Sequence, residues 1–217
     1  MMATLIDVKD ATKRVMRFDV VQRTAHWANA LVFFALIATA IPLYFGSFFG
    51  LQVPRHTMAE IHLWSGLSLP LPILISLAGP WGRQMRADLR RVSYWTHDEI
   101  KWLRTFGRSP LDEDKFNPGQ KMNTIFVGAA IFIMLVTGSM LQWFRFFPPS
   151  LRTGATFVHD IGTFAVVAVI AGHIFMALTH VDSLKSIFNG YVTRKWASEH
   201  APAWLGDEET STEASQN

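Results

Sequence analysis

The sequence predicts an all-α membrane protein, a four-helix bundle with both termini in the cytoplasm. Three observations predict it. Half of the 217 residues are apolar, with 17 Phe, 8 Trp and a mean hydropathy of +0.20. The chain holds four apolar runs of the roughly twenty residues needed to cross a bilayer core. Its basic residues gather in alternate connections between those runs, as orientation in a membrane requires.

The first span is expected from about Ala25 to Phe45, opened by His26 and Trp27 and with Pro42 near its far end. The second, about Met58 to Gly79, carries Pro70 and Pro72, which remove amide donors and must kink it. The third runs from about Met122 to Phe144 and the fourth from about Thr153 to His180, joined by a short turn containing Pro148 and Pro149. One membrane domain thus covers residues 1–205. Residues 206–217 are acidic, lack apolar periodicity and are expected to be disordered.

Orientation follows from Lys and Arg. The segment before span one has five, the Arg83 to Lys121 connection nine and the stretch after span four three, against Arg55, Arg145 and Arg152 on the other side. The first, third and fifth segments should therefore be cytoplasmic, and spans one and three run outward. Charge placed this way argues for membrane lipid contact and against nucleic acid. The basic N-terminal segment has no separate apolar stretch and cleavage site, so span one is expected to act as its own signal. Within the long connection, His97 to Arg108 places Ile100, Leu103 and Phe106 along one side, which suits either an interfacial helix or a cover for the cytoplasmic end of the bundle.

Absence of cysteine excludes an iron–sulfur cluster, a c-type haem attachment or a disulfide within this chain. Histidine carries the chemistry instead. His159 and His173 stand fourteen residues apart in span four, nearly four helical turns, so both imidazoles leave one face about 21 Å apart along the axis. An imidazole inside a span is costly unless satisfied. Topology puts His62 and His159 near the outer ends of spans two and four, and His26 and His173 toward the cytoplasmic side of spans one and four. Depth therefore pairs His62 with His159 and His26 with His173, as two b-type haems with bis-histidine ligation would need. His180, seven residues beyond His173 at the membrane edge, is the second choice for the inner ligand. Gly66 and Gly162, each near a histidine, serve either helix packing, the commoner use, or a porphyrin edge. Asn117 and Gln120 form either a turn and cap before span three or hydrogen-bonding groups for a quinone carbonyl.

Four stretches resemble the cytochrome b (gamma) subunit of respiratory formate dehydrogenase: RFDVVQRTAHW, AEIHLWSG, KFNPGQKM, and VHDIG with AGHIFMA, followed by GYVTRKWASEHAPAW. The match runs over roughly residues 16 to 205, and the order of the stretches is more specific than any one of them. The resemblance implies that His26, His62, His159 and His173 bind the iron of two haems b. It also implies that Asn117, Gly119 and Gln120 contribute to a site for menaquinone or ubiquinone near the cytoplasmic haem. Partners implied are an iron–sulfur beta subunit on the outer side and a molybdenum- or tungsten-containing alpha subunit that oxidises formate, in a bacterial cytoplasmic (inner) membrane. The formate-oxidising site would lie outside this chain, which would serve as the membrane subunit of a formate:quinone oxidoreductase. Related cytochromes serve hydrogenases and sulfur-compound oxidoreductases. A competing reading from another class is a haem-free transporter or anchor whose histidines bind protons or a metal ion.

Overall fold

The structure, a computed structural model, describes residues 13–48, 50 and 53–214, with backbone only for 211–214. In chain order its elements are β1 (Arg14–Met16), α1 (Val20–Phe45), α2 (Arg55–Ser68), α3 (Leu71–Ala78), α4 (Arg83–Ser93), α5 (His97–Arg104), α6 (Pro118–Gln142), α7 (Pro149–Thr179), α8 (Val181–Asn189), β2 (Tyr191–Thr193), α9 (Arg194–His200) and α10 (Pro202–Ala214). Short 3-10 turns occupy Pro80–Gly82 and Phe144–Phe146. The chain divides into two compact units. One comprises Thr24–Arg83 and Phe126–Ile174, the other Met1–Arg23, Gln84–Ile125 and Phe175–Asn217.

The first unit holds most of the apolar helical length. Among the described residues four segments are long and apolar enough to cross a membrane: Val20–Phe45, Arg55–Ala78, Pro118–Gln142 and Pro149–Thr179. Leu31, Phe34, Ile41, Phe132 and Phe164 are exposed on them, a surface suited to hydrocarbon rather than water. The second span is broken at the expected place. Leu69 donates to the Gly66 carbonyl, Pro70 caps α3, and Pro72 falls in the first turn of α3, where a missing amide proton costs nothing. α7 begins at Pro149, four residues before the expected start, because a proline in the first helical position is preorganised for the helix.

In the second unit β1 and β2 pair antiparallel, with Val15 opposite Val192. Val15 and Trp196 pack on a small core of Val192, Ala197, Ala201, Trp204 and Leu205. Gly190 closes α8 in the left-handed region at φ 92°, and its carbonyl accepts from the amides of Arg17 and Phe18. A Cβ there would meet the Phe18 carbonyl oxygen at 2.7 Å, so the turn into β2 requires glycine.

Two expectations are corrected in this unit. α5 stops at Arg104 rather than reaching Arg108, since Phe106 and Gly107 both turn to positive φ and leave Phe106 exposed. The acidic end is helical through Ala214, not disordered, and residues 215–217 lie outside the described set. Its helix is held from outside its own sequence: Trp204 is 1% exposed, Arg91 pairs with Asp207 at 3.1 Å, and Arg194 pairs with Glu209.

Candidate functional site

α2 presents His62 and α7 presents His159 with ring centres 6.4 Å apart and planes at 66°. Each imidazole is tied from behind. Nδ1 of His62 lies 2.9 Å from the Thr39 hydroxyl on α1, and Nδ1 of His159 lies 2.9 Å from the Thr137 hydroxyl on α6. Nε2 is then the ring nitrogen left available to a ligand. Beside the pair is a cavity of about 280 Å³, with an apolar lining that includes Leu36, Leu63, Gly66, Met134 and Gly138. That is close to the lower end of small-molecule sites, about 300 Å³.

The glycines divide by role. A Cβ on Gly138 would approach Cε1 of His159 to 3.3 Å, so glycine here leaves the ring its room. At Gly162 a Cβ would meet Sδ of Met134 at 2.7 Å, which fits the packing reading of that residue, whereas Gly66 lines the cavity.

The second pair is His26 on α1 and His173 on α7, with ring centres 6.2 Å apart and planes at 58°. Trp27 stands edge-on to His26 at 5.4 Å between centres. Among the described residues neither of these two rings has a hydrogen bond to the protein.

In both pairs the ring separation suits two imidazoles on one metal ion. Two metal–imidazole bonds of about 2 Å, plus roughly 1 Å from each nitrogen to its ring centre, put the centres about 6 Å apart across one metal ion. Among the described residues no cluster of three or more His, Cys, Asp or Glu could hold a metal ion. A bare ion would be left short of ligands with two imidazoles, while haem brings its own equatorial nitrogens and needs two axial donors.

Asn117, Gly119 and Gln120 lie in the other unit, at the start of α6. Asn117 Oδ1 accepts from the Gln120 amide at 2.9 Å, and Gln120 Oε1 accepts from the Asn117 amide at 3.1 Å, a reciprocal cap. Because both partners are backbone N–H groups, the oxygens face inward and the side-chain NH2 groups remain as donors. His180 stands in the break after α7, exposed, with Nδ1 2.9 Å from the Met176 carbonyl and 3.0 Å from the Thr179 hydroxyl. Sequence reasoning missed Thr39, Thr137 and Gly138. A threonine within an apolar span ordinarily returns its hydroxyl to the preceding turn, and nothing in the pattern separates these two from that habit.

The family model described as prokaryotic cytochrome b561 matches residues 17–190. The chain is 28% identical over 214 residues to the formate dehydrogenase cytochrome b556 subunit of Haemophilus influenzae, covering 94% of this chain and 87% of that one. It is 25% identical over 201 residues to the nitrate-inducible formate dehydrogenase cytochrome b556 (Fdn) subunit of Escherichia coli, covering 89% and 91%. Against the formate dehydrogenase cytochrome b556 (fdo) subunit of the same organism it is 25% identical over 217 residues, covering 92% and 95%.

Proposed function

The chain belongs to the prokaryotic cytochrome b561 family, and on that premise we propose that it is the dihaem membrane subunit of a formate dehydrogenase, passing electrons from an iron–sulfur partner on the outer side to quinone near the cytoplasmic side. Its place is the bacterial inner membrane, which it crosses several times. One observation carries the reading: two imidazole pairs, His62 with His159 and His26 with His173, stand 6.4 and 6.2 Å apart between ring centres in one apolar unit. A b haem held by two imidazoles is a six-coordinate one-electron carrier without an open position for substrate.

The residues divide the work. The four histidines hold iron. The lipid-facing spans keep water away and the surroundings of the histidines set potential. Asn117 and Gln120, capped through their oxygens, offer NH2 donors to a quinone carbonyl, and Gly119 lies between them in the chain, where a Cβ would stand 3.4 Å from Asn117 Oδ1. The charge pattern supports a cytoplasmic position for this segment and for both termini, so protons for quinone reduction would come from the cytoplasm. The names of the relatives, each a subunit of a formate dehydrogenase, support formate as the electron source and further subunits as partners; the absence of cysteine here, which leaves any cluster to a partner, supports an iron–sulfur subunit among them.

The experiment uses the assembled complex in membranes. Formate should reduce b-type haem absorbance, and added menaquinone or ubiquinone should reoxidise it. Reduction by hydrogen or by a reduced sulfur compound, with none by formate, would assign the chain to a different donor complex. Absence of any haem absorbance would favour the transporter or anchor reading.

A further inference from the structure

Thr39 and Thr137 are 5% and 7% exposed, one within α1 and the other within α6. A hydroxyl has a single proton to give. Thr39 directs its proton to the Ala35 carbonyl at 2.7 Å, and Thr137 directs its proton to the Ile133 carbonyl at 2.8 Å. With those protons on the backbone carbonyls, each Oγ1 accepts from the imidazole 2.9 Å away and Nδ1 of His62 and of His159 is the donor; the opposite sense, hydroxyl to Nδ1, would put the ring proton on Nε2 and leave no lone pair there for iron. A neutral imidazole with its proton on Nδ1 keeps its lone pair on Nε2. The hydroxyls therefore select the tautomer in which Nε2 is the ligating atom.

We propose that Thr39 and Thr137 are positioning residues for the outer histidine pair: they lock the tautomer and ring orientation of His62 and His159 and make each imidazole a stronger donor toward a bound haem iron. Accepting a hydrogen bond from Nδ1–H shifts electron density toward Nε2, which stabilises the oxidised metal and lowers its potential. Back-bonding of threonine to the preceding turn is routine in membrane helices and has no bearing on function by itself. Here the same hydroxyl carries a second, imidazole bond, and the arrangement occurs twice on different helix pairs, with α1 serving α2 and α6 serving α7. The His26 and His173 rings lack such a bond among the described residues, which makes that pair an internal reference.

This inference rests on the reading that His62 and His159 bind haem, and the experiment separates the two. Thr39→Val and Thr137→Val replace the hydroxyl with a methyl of similar shape, and Thr39→Ser and Thr137→Ser retain it. Each variant and the double valine variant is purified as the full complex, its haem content counted, its haem absorbance titrated potentiometrically and its oxidised low-spin EPR signals recorded. The valine variants should keep both haems, raise the midpoint of the haem that His62→Ala removes, move that haem's EPR signal and leave the other haem unchanged. Serine should restore the parent values. Two haems with unmoved potentials and EPR signals in the double valine variant would overturn the inference. If valine costs the outer haem altogether, a parent-like serine variant still supports the positioning role, and haem loss in serine as well overturns it. A parent protein without haem would instead sink the ligand assignment on which the inference stands.

Discussion

An imidazole in hydrocarbon must be satisfied or it opposes folding, and each of the four intramembrane histidines has a second imidazole as its neighbour. This yields the residue-scale prediction. His62→Ala and His159→Ala should each remove the same haem and leave the other, while His26→Ala and His173→Ala should remove the remaining one. His180→Ala should leave both, because its ring stands in the break after α7 and is bonded to the backbone of its own helix. Haem content and the visible spectrum of each purified variant check this. Loss of a haem in His180→Ala but not in His173→Ala would reassign the inner ligand. The proximity of the histidines was legible in the sequence, since charge fixes the direction of each span and direction fixes depth. Their threonine partners were not, because which turn of α1 faces α2 is decided by packing and not by local pattern.

At the scale of elements, caps and breaks were legible while ion pairs between elements were not. The NPGQ segment reads as a cap and forms one, and the paired prolines of span two break it as their missing donors require. In contrast α10 depends on Arg91, far from it in sequence, and on Arg194 of the neighbouring α9. The same holds for Lys121 of α6, which reaches Glu99 of α5 at 2.6 Å with both side chains buried. Lys121→Met would strand that carboxylate and should cost about 3–5 kcal/mol. Adding Glu99→Gln should recover most of the loss, as read from thermal unfolding in detergent.

Asp88 of α4 gives a pH-dependent case. It binds Lys115 at 2.6 and 2.8 Å and accepts from Gln22 at 2.5 Å, yet burial raises its carboxyl above the ordinary 3.8 by more than Lys115, Gln22 and Arg91 lower it. A raised folded-state value means that the folded chain holds a proton which the unfolded chain has released. The contribution of Asp88 to stability is thus fully present below 3.8 and is lost as pH rises through the raised value. Relative to Asp88→Asn, the wild-type chain should gain stability as pH falls from neutral to about 4. A difference in melting temperature that stays flat over that range would contradict the assignment.

For the whole molecule, the residues proposed to carry electrons lie in the apolar unit and those proposed to meet quinone lie in the other. Replacing Asn117 or Gln120 by Ala should leave both haems in place and reducible by the electron-donating partner, because neither residue is a proposed ligand. Haem reoxidation by quinone should slow about fivefold or more, the equivalent of about 1 kcal/mol for a lost hydrogen bond. Stopped-flow haem absorbance reads this, and unchanged rates in both single variants and the double variant would place the quinone elsewhere. Because Ala also removes the cap, Asn117→Asp is the control: it keeps the capping oxygen and loses the NH2 donor, so it should slow reoxidation without loosening α6. The central claim is that this chain carries two bis-histidine haems. The most direct measurement is the ratio of haem b to protein in the purified complex, taken with the oxidised and reduced spectra. Two haems per chain, both low-spin, are predicted, and a ratio near zero, or a high-spin five-coordinate spectrum for both, would contradict it.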